Sequence, residues 1–457
     1  MKRLATIYMM FLMLLSSGCS LDIKLEDQFS DPDAITTIDA ARELLASAYN
    51  SLPRHQVDFS LLSDDLVPTN LSSKYAEMIN LYNWQEKAMV TLSSNVWNEY
   101  YMTIAIINAL LSRLNDVKTD DELELEKVRS EAKALKAMCY LDLLRLYGPV
   151  WSEENAQKDC IVLKNRLELD FLPRSTMEKC IEEVRTLLSE ALQVENEATS
   201  IFYLSTTAVK ALQVELALWC GQYDVVIETG LPLLEGSENR WTKSSIDNLW
   251  SDSASEERIF APYIFDSFYT DLCYDRAEGD YFALNQEIRF DDTDIRCSWY
   301  VYPFMMSSGE TNLVGKYNKM YYESRTVRYI NTIRYSSVCF AVAEAYARSA
   351  DGDEQAVEIV NSYLGACGAA LIDKSLKGDA LVERILQEKR KETIGEGTRL
   401  FDLKRTGAYL QRFSASGAQT STIRKDDYRW LFPIPEAEYK YNDKMTQNPQ
   451  WPFIKAE

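Results

Sequence analysis

The stretch EKRKETIGEGTRLFDLKRTG, residues 388–407, crowds acids and bases onto a helical pattern, breaks it at two glycines and resumes as a second basic and apolar segment. It reads as an active site, a phosphate loop or joinery between helices, and the choice governs the rest of the chain. Glu388 and Glu392 share a helix face at i, i+4, a spacing that suits a general acid/base pair or a metal site. Arg384, Lys389, Arg390 and Lys391 surround them, so both carboxylates are expected to be ion-paired and ionised, the wrong state for a general acid. Gly395-Glu396-Gly397 lacks the third glycine, the Lys-Ser/Thr and the preceding strand of a phosphate cradle. The glycines instead let the chain turn sharply between two helices. Past the turn, Arg399, Asp402 and Arg405 fall on one face and Leu400, Phe401 and Leu403 on the other. The reading is a polar latch that holds the turn against a helical body.

That body is visible upstream. TIDAARELLASAYNSL, from Thr37, places Ala40, Leu44, Leu45, Ala48 and Leu52 on one face, with Thr37 as N-cap. VWNEYYMTIAIINALLSRLNDV repeats the period through Trp97, Tyr101, Ile104, Asn108 and Leu111. EAKALKAMCYLDLLRLYG is apolar on nearly every side except Lys133, Lys136 and Tyr140, which predicts a buried helix ended by Gly148-Pro149. STTAVKALQVELALWCGQYDVVIETGLPLLE and RYSSVCFAVAEAYARSADGDEQAVEIVNSYLGACG each read as two antiparallel helices with small residues where they cross, similar to tetratricopeptide units of irregular period. Residues 240–330 and 411–457 break the helical pattern with aromatics, prolines and turn residues.

With these segments in place, residues 388–407 resemble the signature of the SusD/RagB family of outer-membrane nutrient-uptake lipoproteins, through Glu388, Arg390, Glu396-Gly397, Arg399, Asp402-Leu403 and Arg405. EAKALKAMCYLDLLRLYGPV, FLPRSTMEKCIEEV and LFPIPEAEYKYNDKMTQNP resemble further landmarks of that family in the same order. The chain departs from the pattern at Lys136 for arginine, at Ser336-Ser337 where Ala-Glu usually follows Arg-Tyr, at Gly365 to Gly368, and at Asp443 and Gln450. The resemblance implies a mostly α fold: a right-handed helical scaffold of tetratricopeptide-like pairs carrying irregular ligand-binding loops. It also implies a non-enzymatic lipoprotein without a cofactor, which captures a glycan or a peptide and forms a lid over a SusC-like TonB-dependent transporter.

The first residues fit export. Met1-Lys2-Arg3, the apolar Leu4 to Leu15 and the small residues before Cys19 form a secretory signal, expected over residues 1–18. Ser17-Gly18-Cys19 is similar to the bacterial lipoprotein box, although Ser16 stands where leucine is usual, so Cys19 is the expected lipid attachment site. Residues 19–35 read as a tether off the outer membrane, facing the exterior, and 36–457 as one domain divided at 239 and 330 into a helical part, an aromatic-rich irregular part and a closing helical part.

Composition narrows the function. The formal charge of −21, or −23 without Lys2 and Arg3, argues against nucleic acid, whose phosphates call for clustered Lys and Arg. The nine cysteines contain no CxxC pair and mostly sit in apolar helical patterns, so they read as core. One histidine, His55, rules out a two-histidine metal motif, and its Pro-Arg-His-Gln loop predicts a surface position.

A glycan site should pair exposed aromatic rings, on which sugar C–H faces stack, with planar polar side chains that bond the hydroxyls. Two stretches supply this mixture: NLYNWQEK, with Tyr82, Asn83 and Trp84, and DDTDIRCSWYVYP, with Asp294, Arg296, Trp299, Tyr300 and Tyr302. The expected ligand contacts are Asn83, Trp84, Asp294, Arg296, Trp299 and Tyr300, and the opposing reading makes Trp84 and Trp299 core residues under loops. Two other classes stay open: a lipoprotein glycosidase using carboxylates among Asp291, Asp292 and Asp294, and a periplasmic tetratricopeptide scaffold for a protein partner.

Overall fold

A computed structural model describes residues 35–452 apart from 73–75, 168–169, 237–239, 252, 264–281, 307–308, 317–328 and 441. The expected signal segment, Cys19 and all of the tether but its last residue lie outside the described residues. The fold is mostly α, and side-chain caps mark where two of its helices begin, the first of them at Thr37 as expected. Thr37 Oγ1 accepts the amide of Ala40 at 3.2 Å and opens the Ile38–Asn50 helix, which buries Ala41, Leu44, Leu45, Ala48 and Tyr49. Asp121 caps the Glu122–Tyr147 helix in the same way.

That helix is enclosed almost all round, by the Glu86–Arg113 and Met177–Ala191 helices and others. Three of its polar residues are satisfied inside: Lys136 Nζ donates to Asn165 Oδ1 at 2.7 Å, Ser130 to Ala191 O at 2.7 Å, and Tyr140 to Lys164 O at 2.9 Å. At Gly148, where it stops, a Cβ would lie 2.8 Å from Leu144 O and 2.5 Å from Cys160 Sγ, so no larger residue fits.

The two expected helix pairs are present, Thr206–Trp219 with Tyr223–Leu234 and Tyr335–Arg348 with Asp353–Ala366. Tyr335–Arg348 also crosses Tyr223–Leu234 at Gly230, where a Cβ would come within 2.6 Å of Val342. The small residue sets that close approach.

Short strands join the irregular parts to the helices. β1 (Leu66–Pro68), β3 (Phe282–Leu284), β5 (Gly309–Val314) and β4 (Val301–Met306) form one antiparallel sheet in that order. β2 (Arg258–Phe260) pairs with β6 (Ile333–Arg334), and β7 (Leu410–Phe413) with β8 (Gln419–Ile423). The closing segment returns to the first helices through Asn448, which donates to Tyr147 O and Phe432 O at 2.9 and 2.7 Å and accepts from Arg174 at 2.8 Å. Three landmarks far apart in sequence therefore meet at one point.

Cys139, Cys160, Cys180, Cys339 and Cys367 are buried free thiols, as the core reading expects, while Cys220 and Cys297 are half-buried. His55 corrects the surface expectation. It is buried, with Nδ1 3.0 Å from Asp58 Oδ2 and Nε2 3.0 Å from Glu99 Oε2, because its loop is pressed under the long Glu86–Arg113 helix. Burial opposes its charge, but the two carboxylates prevail and raise its pKa to about 9.

Candidate functional site

The Gly378–Glu392 helix delivers its last turn into the interior, and Gly395 and Gly397, at φ of 72° and 77°, reverse the chain into the Arg399–Thr406 helix. A Cβ on Gly397 would sit 3.0 Å from Gln56 Cα. The turn is packed tightly against the start of the Gln56–Leu62 helix.

Glu392, fully buried, lies at the centre of a lattice of charged side chains. Its carboxylate accepts from Arg334 Nη1 at 2.7 Å, Tyr300 Oη at 2.7 Å, Arg296 Nη1 at 3.4 Å and the Tyr363 hydroxyl, while its carbonyl accepts from Lys316 Nζ at 2.8 Å. Burial works against ionisation, yet Arg334, Arg296 and Lys316 outweigh it and hold the carboxyl down at about 2. Glu388 takes Arg296 at 3.1 Å, Arg384 at 2.8 Å and Lys391 at 2.9 Å. Arg334 also meets Glu257 at 3.2 Å and Glu396 at 2.7 Å. Glu392 held this way is an acceptor in a fixed lattice, whereas burial pushes the Glu257 carboxyl up despite Arg334.

The second helix continues the lattice. Asp402 bridges Lys389 at 2.9 Å and Arg405 at 2.7 Å, and burial is again overcome, so its carboxyl stays well below the usual range. Arg405 reaches Glu344 on the Tyr335–Arg348 helix. Lys404 Nζ donates to Arg145 O, Leu146 O and Gly148 O at 2.6, 3.2 and 3.0 Å, capping the end of the Glu122–Tyr147 helix. Arg399 forks onto Asp64 of the 63–65 loop at 2.8 and 2.9 Å. Residues 388–407 are joinery, tying three distant segments together.

The same lattice decides most of the expected ligand contacts. Asp294 and Arg296 are buried and doubly bonded to each other, Nε to Oδ1 at 2.9 Å and Nη2 to Oδ2 at 2.7 Å. Tyr300 is buried on Glu392, and Trp84 is buried with its indole N–H on Leu62 O at 3.0 Å and its ring edge-on to Trp430. All four side chains are therefore buried where the sequence reading expected exposed contacts. Trp84 holds a left-handed φ of 54°, a strained setting for an aromatic residue, which packing against Trp430 and the bond from Arg429 to its carbonyl at 2.8 Å maintain.

Asn83 and Trp299 are half-buried and reach the surface. Asn83 Nδ2 donates to Ile79 O at 2.9 Å, and its Oδ1 faces Thr420 of β8. A shallow depression beside it is bordered by Asn80, Gln85, Glu86, Lys87 and Arg429. Trp299 Nε1 donates to Asp247 Oδ1 at 2.8 Å just before edge strand β4, where Met305 is 70% exposed. Asn83 and Trp299 do not form one cluster. Asp247, Glu257, Lys316 and Asp64 were missed by sequence reasoning, since nothing local marks a side chain whose partners are dozens to hundreds of residues away.

Among the described residues no group of His, Cys, Asp and Glu is placed to hold a metal ion, and no helix is long and apolar enough to cross a membrane. Of the glycosidase carboxylates, Asp294 is consumed by Arg296 and Asp291 accepts the amide of Ala370 at 3.1 Å.

A model described as the SusD family matches residues 236–451, and one described as starch-binding associating with outer membrane matches residues 24–213. The chain is similar to the SusD-like protein P38 of Formosa agariphila, 23% identical over 532 residues that cover 98% of this chain and 99% of that one. Its fold is similar to the crystal structure of a SusD superfamily protein from Bacteroides thetaiotaomicron, with TM-score 0.77 at 20% identity, covering 91% of this chain and 100% of that one. It is also similar to a putative sugar binding protein from Bacteroides vulgatus, with TM-score 0.75 at 19% identity, covering 91% and 99%.

Proposed function

Since the chain belongs to the SusD/RagB family, we propose that it is a carbohydrate-binding protein of the outer membrane, which captures an oligosaccharide and passes it to a SusC-like TonB-dependent transporter. Cys19 carries the lipid, and the folded part faces the cell exterior. The observation that supports the ligand assignment is Trp299: its indole N–H is held by Asp247 and the residue is only half-buried, a setting from which an aromatic ring can meet the C–H face of a sugar. Asn83, on a separate part of the surface, offers a second polar contact point beside Thr420. The protein acts by binding and performs no chemistry, a reading supported by carboxylates locked in ion pairs.

The test is calorimetric titration of purified chain 19–457 with oligosaccharides of α- and β-linked glucose, mannose and xylose, together with a mixed peptide library. Saturable binding of a glycan without release of a shorter product supports the proposal. Peptide binding alone, or hydrolysis of the glycan, overturns it.

A further inference from the structure

Away from Trp299 and Asn83 the protein holds an interior cavity of about 180 Å³ where the 52–59 segment, the Glu122–Tyr147 and Thr206–Trp219 helices and the Gly395–Thr398 turn meet. We propose that this cavity is a second binding site, distinct from the surface platform, for one neutral sugar ring.

Four observations converge on that ligand. Size comes first, because an engineered apolar cavity of about 150 Å³ admits benzene, so a six-membered ring fits this one. Its walls are largely apolar, with Tyr49, Phe59, Tyr100 and Phe401 offering rings to the C–H faces of a sugar. Among the described residues, Gln56 Oε1, Arg145 Nε, Trp219 Nε1 and Thr398 Oγ1 are buried without a hydrogen-bond partner, and all four belong to residues that line this cavity. Buried polar groups are ordinarily bonded, so four orphans around one void mark a place where hydroxyls would be welcome.

Charge selects a neutral occupant. The ionic groups on the walls already satisfy one another: Arg145 with Asp142 and Glu215, Lys389 with Asp402, and Arg405 with Glu344. A charged ligand would have to break a pair, whereas a neutral one leaves every pair intact. Ser337, a small side chain, also lines the cavity. Pro53, Arg54, Thr332 and Ser337 are half-buried and form the rim through which a ligand would pass.

The experiment titrates the whole chain with free D-glucose, D-galactose and L-fucose, with D-glucuronate and D-glucosamine as charged counterparts. Gln56→Met and Thr398→Val remove an unpaired polar atom without opening a void, so they should keep the melting temperature. Each should weaken the neutral sugar about five-fold, the loss of one neutral hydrogen bond. Ser337→Glu should abolish binding, and Trp299→Ala should leave it unchanged, which separates this site from the oligosaccharide platform whichever of the two fails. Three results would overturn the proposal: no binding of any neutral ring at millimolar concentration, charged sugars binding as tightly as neutral ones, or full affinity in Gln56→Met and Thr398→Val.

Discussion

Arg334 and Glu392 face each other fully buried, Nη1 2.7 Å from Oε1, and each is also held by further charges: Glu257 and Glu396 on the arginine, Arg296 on the acid. Two ions taken out of water stabilise a fold only while every partner is present. Arg334→Met should therefore lower the unfolding free energy by about 3–5 kcal/mol, because it strands three carboxylates in the interior. Denaturant unfolding followed by circular dichroism checks this, and a loss below about 1 kcal/mol, the range of exposed pairs, would show that the lattice is solvated.

His55 provides a pH test with a defined sign. Its pKa is raised from 6.5 to about 9 in the fold, so the stability it contributes is fully present below pH 6.5 and disappears as pH rises through 9. Lys404 titrates in the opposite sense, since burial lowers its pKa to about 7, so the wild-type curve alone mixes the two. The difference between wild type and His55→Gln isolates the histidine. The melting-temperature gap should be widest below pH 6.5 and should close by about pH 9; a gap that is constant with pH would mean that His55 is neutral in the fold.

Gly397 tests the turn. It holds a left-handed φ of 77° with a Cβ site 3.0 Å from Gln56 Cα. Gly397→Ala should cost about 1–2 kcal/mol from the backbone term alone, with the clash against backbone adding to it. Gly417, also left-handed at φ 81° but with nothing within 4 Å, is the control and should lose only the backbone part. Equal losses at the two positions would remove the close approach as a cause.

Helix positions, caps and the structural role of residues 388–407 were legible in the sequence because they depend on near neighbours: a period of 3.6, a threonine three residues before an amide, two glycines between helices. The partners of that stretch were not legible. Asp64 lies 335 residues from Arg399, and nothing in the composition of its loop announces an arginine. The burial of Trp84, Asp294, Arg296 and Tyr300 was not legible for a related reason. Asp, Arg, Trp and Tyr close together describe a sugar site and a buried ion lattice equally well, and only the direction of each side chain separates them. Arg296 and Tyr300 are buried on Glu388 and Glu392 and Asp294 on Arg296, whereas Trp299, between them in sequence, is half-buried on Asp247.

Two tryptophans that look alike in the sequence should therefore respond differently to truncation. Trp84 is enclosed, bonded to Leu62 O and stacked edge-on against Trp430, so Trp84→Ala should leave a void and cost about 3–5 kcal/mol of stability. Affinity for a glycan measured on the fraction still folded should not change. Trp299 is only half-buried, and its ring is the proposed stacking surface, so Trp299→Ala should keep most of the stability and weaken the glycan by about 1 kcal/mol or more. Asp247→Asn, which can still accept from the Trp299 indole, should retain most of that affinity, while Asp247→Ala frees the ring and should lose part of it. Thermal melts and glycan titrations on the four variants separate the roles. If Trp299→Ala melts early and binds normally, its ring belongs to the core; if Trp84→Ala binds weakly at full stability, the platform includes the Asn83 surface through Trp84 after all.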